Sequence, residues 1–180
     1  MGTKDEYLML RDEILHLDSM INNTINFFYV FMASYLAFAF DKGDTILFLV
    51  SYVVIMPAYF MVLSKMEGLC RIGAYLKVFG EKNEYKWETR NYQFREHRVI
   101  KIFNHMLATN LPFLLGSSSV LMLHIYKYLQ LDEQTKDEKV KLCISVALFA
   151  IMSLMIFRYR KISTGDYIEK WEKYKIRNNL

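Results

Sequence analysis

The residue types able to do chemistry converge on one spacing. Arg90 stands seven residues before His97, and Arg98 stands seven before His105. On a continuous helix seven residues make two turns, so guanidinium and imidazole lie on one face and can share a phosphate, with the histidine as acid or base. Three readings of the Arg90/His97 pair stay open: catalysis, contact with phosphate or RNA, and a solvated or headgroup-facing stripe. His105 is the poorer candidate, because it borders an apolar run. The chain has no glycine-rich phosphate loop, no HExxH and no nucleophile elbow. Cys70 and Cys143 lack ligand-like spacing and read as packing thiols, so neither a metal site nor a cofactor is expected.

The element carrying that pair is a basic segment, 65–101, set between two apolar halves. It holds nine Lys or Arg, one Trp and five other aromatics. Leu69, Ile72, Leu76 and Phe79 keep helical spacing up to Gly80, a C-terminal cap. After Glu81-Lys82-Asn83 a new helix is expected. Its one face carries Tyr85, Tyr92, Val99 and Phe103; another carries Lys86, Arg90, Gln93, His97, Lys101 and Asn104 as a basic stripe.

Four uncharged runs flank the segment: 19–40, 45–64, 102–126 and 142–157. The first has 22 residues, enough to cross a hydrocarbon core of about 30 Å. It pairs with the second across the turn Asp41-Lys42-Gly43-Asp44. The third spans with tilt and a kink at Pro112; the fourth spans only if its flanking Lys and Arg snorkel. Of the 23 Lys and Arg, 18 fall in the N-terminus, the central segment and the tail, against 5 in the two short turns. The positive-inside rule then puts both termini and the central segment in the cytoplasm. The acidic start predicts no cleavable leader. The expected organisation is a cytoplasmic helix running into an apolar hairpin (1–64), the basic segment (65–101), a second apolar hairpin (102–157) and a basic amphipathic tail (158–180). In that tail Asp166 and Glu169 resemble a capping pair, and Tyr167, Trp171 and Tyr174 share a helix face that suits the membrane surface or the central segment. The fold class is therefore an all-α membrane protein with about four apolar helices, cytoplasmic helical extensions and an oligomeric state.

The first helix has two sides of interest. Tyr7, Ile14, Ile21 and Phe28, with Leu10, Leu17, Thr24 and Phe31 three further on, form a heptad seam that packs on its own hairpin or joins protomers. Ser19, Asn22, Asn23 and Asn26 make one polar face at the cytoplasmic mouth of the first span. Amides in lipid must face other helices or water, so this face is interhelical glue or the lining of an aqueous pore. Ala33 and Ala37, Asn110 with Gly116 to Ser119, and Ser145, Ala147, Ala150 and Ser153 are further close-packing faces. No carboxylate lies inside any run, which argues against a pump or an ion-coupled carrier.

Several spans, a heptad-like start and a divergent Arg90/His97 pair of the R-x4-6-H type together resemble the small accessory membrane proteins of type VI-B CRISPR loci, a group described as carrying a divergent HEPN ribonuclease motif. That resemblance implies a homo-oligomeric pore in the bacterial inner membrane. It would act as an anti-phage effector, depolarising the membrane downstream of an RNA-guided RNA nuclease, its functional partner. On that reading Ser19, Asn22, Asn23 and Asn26 line the path in contact with membrane lipids and sister protomers. Lys86, Arg90, His97 and Lys101 set the potential at its mouth, favouring anions. A working nuclease needs an aqueous bundle around its motif, and here the motif precedes an apolar span, so no enzyme is expected. The alternatives are a membrane-tethered HEPN-like ribonuclease or RNA-binding module and a non-conducting regulator of the partner nuclease.

Overall fold

Local sequence dictates where each helix stops. The computed structural model describes residues 3–80, 105–131, 135–159 and 164–177. Among them there are five α-helices and no strand: α1 (Thr3–Lys42), α2 (Thr45–Tyr75), α3 (His105–Leu129), α4 (Lys136–Tyr159) and α5 (Thr164–Arg177). At 40 residues α1 is about 60 Å long, twice a hydrocarbon core, so it extends beyond any span it makes. It ends at Gly43, which adopts φ 70° and donates its N–H to the Ala39 carbonyl at 3.1 Å. Glycine takes that left-handed position without the strain a Cβ would bring. Asp44 then caps α2, its Oδ1 accepting from the Ile46 N–H at 3.0 Å. Thr135 does the same for α4 through the Glu138 N–H. The expected helical hairpin at Asp41 to Asp44 is therefore present.

Among the described residues three helices are long and apolar enough to cross a membrane: Asp5–Lys42, Thr45–Phe79 and Lys136–Tyr159. The fourth run, 142–157, expected to span only with help from snorkelling ends, lies within one of these helices. The short uncharged run sits inside a 24-residue helix whose first turn supplies Asp137 and Glu138. The third run is described from His105 as α3, which carries Asn110, Pro112, Gly116, three serines and His124; residues 102–104 lie outside the described residues.

The helices form two units. The first combines α1 up to Asn22, α2 from Leu63 onward and α5. Here α2 passes into a π-helical turn, Leu76–Gly80. The tail helix packs on this stretch through the face anticipated for it. Trp171 sets its edge on Tyr75 at 5.3 Å and Phe79 at 5.9 Å between centroids. Its Nε1–H donates to the Arg71 carbonyl at 3.3 Å, and Lys175 Nζ donates to the Val78 carbonyl at 3.2 Å. Tyr167 donates its hydroxyl to Glu67 Oε1 at 2.8 Å. Partial burial first, and that carboxylate second, push the Tyr167 phenol up to about 12. One expectation fails here. α5 begins at Thr164, so Asp166 lies within its first turn, and Glu169 pairs with Lys173 at 2.6 Å rather than reaching back to a cap. That ammonium holds the Glu169 carboxyl below its usual range.

The second unit combines Asn23–Val62 with Asn104–Arg160. Its core is Phe28, Met32 and Ala39 of α1, Phe48, Tyr52, Ile55 and Tyr59 of α2, Phe113 and Val120 of α3, and Met152 of α4. Phe28 stacks obliquely on Phe113 at 4.6 Å, and Tyr59 meets the same ring edge-on at 5.3 Å. Gly116 is small for a reason: a Cβ there would lie 2.9 Å from Phe28 Cζ. Cys70 is a buried thiol as expected, but Cys143 is exposed, since it falls on the outward side of α4.

Candidate functional site

The heptad seam of α1 is spent within the protomer. Tyr7, Ile21 and Phe28 are buried, and their partners three residues on are half-buried. Leu17 lies over Gly68 in the first unit, and Phe28 lies over Gly116 in the second. Of the two uses the seam allows, packing on its own chain is the one observed.

The polar face is on the other side. Ser19, Asn22, Asn23 and Asn26 are all exposed on α1, so none is glue within its own protomer. Asn22 Nδ2 donates to Asp18 Oδ2 at 3.4 Å, four residues back, as a local contact only. The exposed register continues at intervals of three and four through Val30, Ala33 and Ala37, and backward to His16 and Asp12. Ser34, beside it, turns its hydroxyl onto the Val30 carbonyl at 3.0 Å and so presents little polarity outward. This helix is one of the three able to cross a membrane. A face of amides and small residues is suited to water or to a neighbouring helix and ill suited to lipid tails. Sequence reasoning found the four residues but not the full register, which lay open in the 3-4 spacing of Asp12, His16, Ser19, Asn23, Asn26, Val30, Ala33 and Ala37.

Lys86, Arg90, His97 and Lys101 lie outside the described residues, as does the rest of the basic stripe. Among the described residues no cluster of His, Cys, Asp or Glu is arranged to hold a metal ion.

A second set of polar groups lies inside the second unit; of them the sequence singled out only Ser117, as a close-packing residue. Thr45 Oγ1 donates to Glu138 Oε2 at 2.6 Å, and Lys141 Nζ donates to Glu138 Oε1 at 2.7 Å while pairing with Asp137 at 2.9 Å. The Tyr52 hydroxyl donates to the Ser117 carbonyl at 3.2 Å. His124 is wholly buried against Phe48, 5.7 Å between ring centroids. The signal that would have found them is a seven-residue step repeated on separate helices.

The class defined by these elements is an all-α protein whose long apolar helices fit a membrane, with an exposed amide face on one of them. Against known proteins the chain matches no family model, no curated protein and no solved structure.

Proposed function

We propose that several copies of this chain assemble in a membrane with the amide face of α1 turned inward, forming a pore. The observation that carries the reading is the exposure of Ser19, Asn22, Asn23 and Asn26 on a helix apolar enough to span. An amide or hydroxyl left against hydrocarbon costs on the order of 1–3 kcal/mol, so three amides and a serine favour an arrangement that gives them water or each other. The buried seam on the opposite side supports the same geometry, because it anchors α1 to its own protomer and leaves the polar face for the assembly.

The setting follows the resemblance of the chain's layout. The pore lies in a bacterial inner membrane with both termini cytoplasmic, and it depolarises that membrane as an anti-phage effector once an RNA-guided RNA nuclease is active. The basic stripe of Lys86, Arg90, His97 and Lys101 borders the cytoplasmic mouth.

Liposome release tests it. Full-length protein at high loading should release a small entrapped dye, and replacing Asn22, Asn23 and Asn26 by Leu should abolish release while the helical content stays unchanged. Vesicles that keep their dye with the unaltered protein would overturn the reading.

A further inference from the structure

The interior of the second unit carries a polar ladder. On α2 the buried residues Thr45, Tyr52 and Tyr59 recur every seven positions, on α3 Asn110, Ser117 and His124 do so, and on α4 Glu138 and Ser145 do so, with Ser153 beyond. Seven helical residues advance about 10.5 Å, so the ladder has three rungs over about 21 Å. The outer rung joins Thr45 to Glu138, and the middle rung joins Tyr52 to Ser117. Apolar layers of Phe48, Val120, Ile55 and Phe113 separate the rungs.

What distinguishes this ladder from ordinary register-setting polar residues is how much of it is unsatisfied. Both ring nitrogens of His124 and the hydroxyls of Tyr59 and Ser153 are buried without a hydrogen-bond partner, and the buried Ser145 hydroxyl faces that of Tyr52. Polar groups that only fix helix register find partners in one another, because each left unpaired costs on the order of 1–3 kcal/mol. A group that passes a proton has a different requirement. It must have a free lone pair on one side and a transferable hydrogen on the other, and imidazole and hydroxyl are the side chains that offer both.

We propose that the interior of the second unit is a proton path within each protomer, separate from the outward face of α1. His124 accepts a proton at one ring nitrogen and releases one from the other. The hydroxyls of Tyr52, Ser145, Tyr59 and Ser153 hand it along through internal water. No bond other than O–H and N–H changes, and a proton entering at one end is matched by one leaving at the other. The driving force is the membrane potential, about 2.3 kcal/mol per charge per 100 mV. Glu138 and Lys141 of α4 are the charged groups whose fields reach His124. Asp137 pairs with Lys141, and Thr45 and the Phe48 ring face the same end from α2. The Glu138 carboxylate therefore stands ready to offset the imidazolium formed in transit. The intervening apolar layers admit a proton hopping along water and exclude hydrated ions.

The test uses full-length protein in liposomes with an entrapped pH dye under an imposed potential. In the background with Asn22, Asn23 and Asn26 replaced by Leu, which removes the polar face of α1, proton flux persists although a larger dye is retained. Adding His124→Gln then lowers the flux by about tenfold or more. Should His124→Gln fail to fold, Tyr59→Phe and Ser145→Ala, each lacking one oxygen, lower it in the same way. Vesicles that stay proton-tight in the Leu background, or a flux indifferent to these changes in folded protein, overturn the proposal. Loss of dye release by itself bears on the α1 pore and leaves this path standing.

Discussion

Trp171→Ala should free α5 from the end of α2, and the size of the effect follows from three contacts. Two ring pairs reach across to Tyr75 and Phe79, each contributing about 0.5–1.5 kcal/mol, and the Nε1–H bond to the Arg71 carbonyl adds about 1 kcal/mol. The loss is thus about 2–4 kcal/mol. A helix of 14 residues is marginal on its own, so little else holds it folded once undocked. At tenfold per 1.4 kcal/mol, the undocked population rises about 30- to 700-fold. Limited trypsin digestion in detergent reads this directly, because Lys170, Lys173, Lys175 and Arg177 are all on α5. Cleavage follows the open population when closing is fast. Trp171→Phe keeps the ring pairs and loses only the donor, so its cleavage rate should rise about fivefold. Equal cleavage rates for wild type and Trp171→Ala would refute the reasoning.

Two helix glycines, Gly116 and Gly68, should respond in opposite directions. Gly116→Ala forces Phe28, which is pinned against Phe113, and should cost about 1–3 kcal/mol in detergent unfolding, whereas Gly68→Ala meets Leu17 at an ordinary 3.5 Å and should be neutral or stabilising by up to about 1 kcal/mol. Tyr167 predicts a pH dependence. Its phenol is raised from 10.0 to about 12, so its contribution to α5 docking is fully present below pH 10 and is lost as pH climbs to about 12. Amide exchange in α5 should accelerate across that window, and Tyr167→Phe should remove the dependence.

The sequence made the hairpin legible because charge and turn chemistry agree there: an uncharged run, Gly43 in the left-handed region, and Asp44 as a cap all fall within four residues. The tail helix was legible from its aromatic spacing, but its start was not, since Thr164 and Asp166 are both acceptable first-turn residues and only packing on Tyr75 and Phe79 fixes the end. Both faces of α1 could be read, yet not which one turns inward. That is decided by volume: Ile21, Phe28 and Met32 fill space against neighbouring helices, and Asn23 or Ala33 would leave voids. The fourth run was legible as a span only through its flanking Lys139, Lys141 and Arg158, because a span is set by the whole helix and its snorkelling ends rather than by the uncharged stretch alone. The ladder inside the second unit escaped notice because each helix carries only two or three of its rungs, and their alignment exists only once three helices are packed.

The two units differ in how their pieces are drawn from the chain. Every residue of the second is made by position 160, whereas the first needs α5, which is made after it. During synthesis the rings of Tyr75 and Phe79 therefore wait without their cover for about ninety further residues, some 5–20 s at ordinary elongation rates. Synthesis of α5, rather than insertion of the apolar helices, is the event that closes the first unit.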